Sequence, residues 1–135
     1  MNMGFREIDH TADVAVHVWG RDLKELFTAA ALGLASQLAK TDGVICQVEE
    51  TVSVEAYDTE TLLVTWLGEL LYLAEREASV FVAFDIHEIT PTRLEAVVRG
   101  GVVADRRRHI KAVTFSGLEI VHTGEGYEVT IVFDV

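Results

Sequence analysis

Apolar residues in this chain recur with a period of two in some stretches and between three and four in others, which separates strands from helices. Positions 4–9 and 13–19 alternate or run apolar on either side of Thr11-Ala12 and read as two strands. From Asp22 the rhythm changes. Leu23, Leu26, Phe27, Ala30, Ala31, Leu34, Ala35 and Leu38 form a helical stripe, which predicts a helix over 22–39. Asp22 and Glu25 stand at capping-box spacing, with Asp in place of the usual Ser or Thr. Thr41-Asp42-Gly43 ends that segment. Residues 48–57 alternate and read as a strand. Asp58 or Thr59 then caps a second helix, predicted over 59–76, with Leu62, Leu63, Trp66, Leu67, Leu70, Leu71 and Ala74 on one face. Residues 79–89 and 92–104 are strand-rich and meet at Thr90-Pro91-Thr92, a hairpin turn. Residues 113–115, 118–122 and 127–133 supply the last strands, with Gly124-Glu125-Gly126 turning between the final two. Gly100-Gly101 reads as a bulge or bend.

Strands outnumber helices and most are joined by short hairpin loops. The expected fold is therefore α+β: antiparallel sheet with two helices packed on it, in a single domain covering 1–135. The second half contains no crossover helices, which argues against a doubly wound parallel sheet.

Composition narrows the function. Half of the 135 residues are hydrophobic, enough for one sizeable core without staples. Cys46 is the single cysteine, so no internal disulfide forms. Neither a signal-peptide pattern nor an apolar run of membrane-spanning length (~20 residues) appears, and a cytoplasmic protein is expected. The 22 acids against 11 bases leave a net charge of -11. Such a surface repels RNA and DNA, whose binding leans on Lys and Arg, and no stable nucleic-acid binding by the chain alone is expected. The natural partners are cations or a basic protein surface. One basic cluster departs from this balance, Arg106-Arg107-Arg108-His109-Ile110-Lys111.

Two acids sit where strand sequence has no need of them. Asp13 closes His10-Thr11-Ala12-Asp13, and Asp134 lies in Phe133-Asp134-Val135. Asp13 is also placed to cap local backbone, and Asp134 to occupy a solvated face with Glu128, Thr130 and Val132. If the first and last strands are neighbours, the two side chains and the carboxylate of Val135 would make a hard-oxygen site suited to Ca²⁺ or Mg²⁺. No Cys/His spacing of the zinc type occurs. Lys111 opens a strand, either simply solvated or balancing charge near the carboxylates. His10 could ligate metal or hydrogen-bond at a turn. Nothing around Cys46 supplies the signature of a thiol nucleophile, and no Gly-rich phosphate loop is present. On these grounds alone the chain is an acidic α+β domain with a candidate divalent-cation site and no evident catalytic residue.

Four stretches of the chain, in order, resemble the archease family. They are Asp9-His10-Thr11-Ala12-Asp13 with Trp19-Gly20; Trp66-Leu67 with Leu70-Leu71-Tyr72; Lys111-Ala112-Val113-Thr114-Phe115; and Ile131-Val132-Phe133-Asp134-Val135. The resemblance implies a protein cofactor rather than an enzyme. It implies assistance to the GTP-dependent RNA ligase of tRNA splicing and RNA repair, promoting guanylylation of that ligase's histidine and its turnover. It also implies a divalent cation, Ca²⁺ foremost with Mg²⁺ or Mn²⁺ as alternatives, held by Asp13, Asp134 and Val135. Lys111 and His10 would serve partner contact and activation. A chaperone-like metal-binding module for another client, and an RNA-modifying enzyme using His10, Asp13 and Lys111, are the alternatives.

Overall fold

The computed structural model describes residues 2–8 and 13–135. The elements run β1 (Gly4–Ile8), β2 (Val14–Gly20), α1 (Leu23–Leu38), β3 (Val48–Glu55), α2 (Thr59–Arg76), β4 (Val80–Thr90), β5 (Arg93–Gly101), β6 (Ala112–Thr114), β7 (Val121–Thr123) and β8 (Gly126–Asp134). Among the described residues the strands form two antiparallel sheets, within the expected α+β class of antiparallel sheet or sheets with two helices. The first has the order β1-β2-β8-β6, with β7 also paired to β8; the second has the order β3-β5-β4. The helix and strand boundaries follow the predicted ones closely. The exceptions are 118–122, of which only Val121 and His122 are strand, in β7, and 92–104, whose strand stops at Gly101; position 9 of the first predicted strand lies outside the described residues. Ile120 instead donates its backbone N–H to the Glu60 carboxylate on α2, at 3.1 Å.

Two sheets explain the unusual burial of α1. The helix touches β1, β2 and β8 of one sheet and β4 of the other. A helix covered from two sides must be apolar around most of its circumference. Leu26, Phe27, Ala29, Ala30, Ala31, Gly33, Leu34, Ala35 and Leu38 are all buried. The small residues let the sheet approach closely: a Cβ on Gly33 would stand 3.1 Å from the Val16 side chain. α2 keeps a one-sided stripe of Leu62, Leu63, Trp66, Leu67, Leu70, Leu71 and Ala74, with Leu73 added. The alternating inner faces of β2 (Val14, Val16, Val18) and β8 (Val129, Ile131, Phe133) complete the same core.

The helix ends show their chemistry plainly. Asp22 accepts from the Glu25 N–H at 2.8 Å and Asp58 from the Thr61 N–H at 2.8 Å, each satisfying a free donor of the first turn. The Glu25 carboxylate reaches back one residue further than in an ordinary capping box. It accepts the Arg21 N–H at 2.9 Å and the Arg21 guanidinium, which hold its pKa down to about 2. α2 ends in a six-to-one and five-to-two pair of bonds, Ser79 N–H to Ala74 C=O at 3.0 Å and Ala78 N–H to Glu75 C=O at 3.3 Å. That closure places Ala78 at φ 51, where glycine is the usual residue. An L residue there costs about 1–2 kcal/mol, while glycine adds roughly 0.5–1 kcal/mol of unfolded-state entropy. Ala78→Gly is therefore expected to stabilise the protein by about 0.5 kcal/mol in urea unfolding; a net loss would mean the αL strain is absent.

Gly100 faces a bulge, as the sequence suggests: the extra residue is on β4, where the register shifts between Phe81 and Ala83 opposite Gly100 and Arg99, and a second shift lies between Ile86 and Glu88. The glycines also mark a close approach: a side chain on Gly100 would collide with the backbone of Val80, and one on Gly101 with the carbonyl of Ile45.

Candidate functional site at the end of the five-stranded sheet

The pairing of β2 with β8 decides where the acids go. Val14 stands opposite Phe133, and the ladder runs antiparallel from there to Gly20 opposite Tyr127. Asp13 and Asp134 are the residues one step beyond that last pair, at the same end of the sheet. On the other side of β8, Ala112 stands opposite Asp134 and Val113 opposite Phe133. The Lys111 N–H donates to the Asp134 carbonyl at 2.7 Å, which ties the start of the Lys-Ala-Val-Thr-Phe segment to the acid's own residue. The same register carried one step on sets Lys111 beside Val135. Asp13, Lys111, Asp134 and Val135, distant in sequence, are thus brought to one end of one sheet.

Side-chain alternation gives the face. Val14 and Phe133 point into the core, so Asp134, the last residue of β8, takes the opposite face, while Asp13 is the bend residue immediately before β2. Asp134 continues the row of Val132 and Thr130, which stand opposite Ala15 and His17; the Thr130 Oγ1 and His17 Nδ1 are 2.9 Å apart. Asp13 is half-buried, while Asp134, Val135 and Lys111 are exposed. Asp134 is exposed and Glu128 and Thr130 half-buried, but Val132 on that face is buried, so the face is solvated only in part. His10 lies outside the described residues.

The donor set fits a hard cation only in part. Two carboxylates and the oxygens of Val135 are the ligand type that Ca²⁺ or Mg²⁺ prefers. Among the described residues there is no group of three or more His, Cys, Asp or Glu side chains arranged to hold a metal. Ca²⁺ takes roughly 6–8 oxygens, so these residues would leave much of its shell to water or to a partner. An ion held here would be open on one side.

One functional-looking cluster received a structural explanation that sequence reading missed. Residues 105–107 run against the C-terminal end of α1. Arg107 donates its backbone N–H to Leu38 C=O and its Nη1 to Ser36 C=O, both at 2.9 Å. The last turn of α1 carries no basic residue of its own, and Arg107 supplies the cation that its free carbonyls favour. The missing base in that turn was the available signal; its remote donor was not foreseeable.

The architecture defines a class: a small two-sheet α+β protein whose chemistry-bearing groups gather at one strand end, without a recognisable catalytic constellation among the described residues. Residues 5–135 match the Archease protein family (MTH1598/TM1083), and the chain belongs to that family. Protein archease of Archaeoglobus fulgidus is 35% identical over 137 residues, covering 98% of this chain and 100% of that one. Protein archease-like of Dictyostelium discoideum is 29% identical, covering 97% and 93%. The solution structure of Methanobacterium thermoautotrophicum protein 1598 superposes with a TM-score of 0.81 at 31% identity, over 98% of this chain and 99% of that one. The crystal structure of a Thermotoga maritima archease, described as a possible chaperone, shares the fold with a TM-score of 0.70 at 20% identity, over 96% of each chain. Among the described residues no helix is long and apolar enough to cross a membrane.

Proposed function

We propose that this protein is a non-enzymatic cofactor of a GTP-dependent RNA ligase in the cytoplasm, where it promotes guanylylation of the ligase and its repeated turnover in tRNA splicing or RNA repair. The observation that carries the reading is the convergence of Asp13, Lys111, Asp134 and Val135 at one sheet end, reached from three separate stretches by the β2–β8 and β6–β8 pairings. Folding alone requires no pair of acids at the end of two apolar strands.

The roles follow from chemistry. Asp13 and Asp134, with an oxygen of Val135, would hold a hard divalent cation, Ca²⁺ in the first instance. The shell they leave open suits a cation shared with a partner's nucleotide phosphates, which a bound ion would polarise and neutralise. Lys111 is an exposed cation at the rim, placed to contact the ligase or that nucleotide. His10 belongs to the same stretch as Asp13 and is proposed to assist the contact. A net charge of -11 favours docking on the basic surface that an RNA ligase must present to its substrate.

The test mixes purified ligase from the same organism with GTP and metal, with and without this protein, and follows the covalent ligase–GMP species and turnover. Faster guanylylation and many turnovers per ligase are expected; equal rates rule the cofactor reading out. Chaperone-like service to a different client is the second reading, favoured by the description of the Thermotoga maritima structure, and it would leave those rates equal while the protein still protects another partner.

A further inference from the structure

The basic run of an otherwise acidic chain is only partly accounted for by its packing. Arg107 caps α1, as described above. Arg106 carries no ion pair among the described residues. Arg108 meets Glu7 only at 3.8 Å, and the His109 ring meets Glu75 at 3.8 Å. These separations are too long for direct hydrogen bonds and leave the guanidinium donors available. Such loose, exposed pairs contribute little to stability. The run therefore holds more positive charge than the fold uses.

That charge surrounds a half-open pocket of about 270 Å³. Leu38, Leu71, Ala74 and Ile110 supply its apolar lining and Arg106, Arg107, Arg108 and His109 its basic lining, with Glu75 the one acid among them. Planar guanidiniums and an imidazole beside an apolar lining suit a flat ring, with donors left over for phosphate. The pocket also lies close to the acid pair along the chain. The segment runs from His109 through Ile110 to Lys111, whose N–H is bonded to the Asp134 carbonyl.

We infer that the Arg106–Arg108–His109 pocket binds one nucleotide of the single-stranded RNA substrate while the protein is docked on its ligase, the guanidiniums taking phosphate and the apolar lining taking the base. This rests on the cofactor reading of the neighbouring acids. An isolated chain of net charge -11 would hold RNA poorly, and the contact matters only where the ligase already presents the strand. An acidic peptide is less well suited, because it offers no planar ring to lie against the guanidiniums.

Arg106→Gln combined with Arg108→Gln tests this, since Arg107 and the α1 cap stay intact. A thermal melt should be unchanged. In the assay with purified ligase, GTP and metal, the variant should accelerate guanylylation as the wild type does, because that step needs no RNA. With a short single-stranded RNA carrying ligatable ends, the KM for RNA should rise roughly tenfold, and the slope of log KM against log salt should fall by about 0.7 per arginine removed. Arg→Lys at both positions should restore the salt slope but only part of the KM. An equal loss of guanylylation would place the run on the ligase surface and overturn the proposal. An unchanged KM and salt slope would overturn it as well. Wild-type protein without effect on guanylylation would sink the cofactor reading, and this inference with it.

Discussion

Asp13→Asn and Asp134→Asn should each abolish the rise in melting temperature that Ca²⁺ gives the unmodified protein. The β2–β8 pairing ends at Val14 and Phe133, which brings the next residue of each strand end, Asp13 and Asp134, to the same end of the sheet. A cation held by both carboxylates adds its binding free energy to the folded state. At a free Ca²⁺ concentration one hundred times Kd the linkage contributes about 2.7 kcal/mol. For a domain of this size that corresponds to a rise of roughly 10 °C. Asparagine keeps the shape of the side chain but removes the charge. The metal-free melting temperature should change far less than when a core residue is damaged. Guanylylation of the ligase should fall together with the calcium response. Lys111→Ala should separate the two, losing activation while Ca²⁺ still raises the melting temperature. If both asparagine variants keep the full calcium response, the cation is held elsewhere.

The largest loss of stability is expected at Trp66. It is fully buried, and its ring stands edge-on to Phe84 with centroids 6.2 Å apart. Its Nε1–H donates to the carbonyl of Phe27 at 3.0 Å, which links α2 to α1 across the core. Trp66→Ala removes the apolar area, leaves a cavity and breaks that bond, for a cost of about 3–5 kcal/mol. Domains of this kind are stable by only about 5–15 kcal/mol, so the variant should sit close to unfolding at physiological temperature. Trp66→Phe keeps most of the volume and loses the hydrogen bond, at about 1–2 kcal/mol. Urea unfolding of the pair measures both. A loss under about 1 kcal/mol for Trp66→Ala would contradict a well-packed junction between the helices.

Much of this protein was legible in its residue order because periodicity, caps and turns are local. The stripe ending at Leu38 and the one through Trp66 predict both helices, Asp22 and Asp58 cap them, and Pro91-Thr92 turns the hairpin between β4 and β5. Ala78 shows the limit of such signals: the end of α2 uses a left-handed residue without the glycine that would announce it. The acids and Lys111 could be singled out by their motifs, and His10 with them, but the motifs do not say which strands pair.

Tertiary structure decided the rest. Periodicity states which side of a strand is buried and not what lies beside it. The partner is chosen when Val14, Val16 and Val18 find Phe133, Ile131 and Val129 on an adjoining strand and bury them together against α1. That non-local pairing carries Asp13 to the end of the sheet that holds Asp134. The same burial splits the strands into two sheets, because α1 is apolar on too many sides for one sheet to cover. It also brings Arg107 onto the end of a helix far from it in sequence, where unpaired carbonyls attract a cation. The sequence by itself determined the elements, their buried faces and the acidic charge; only packing determined which elements became neighbours, because burial of apolar surface is a property of pairs and not of segments.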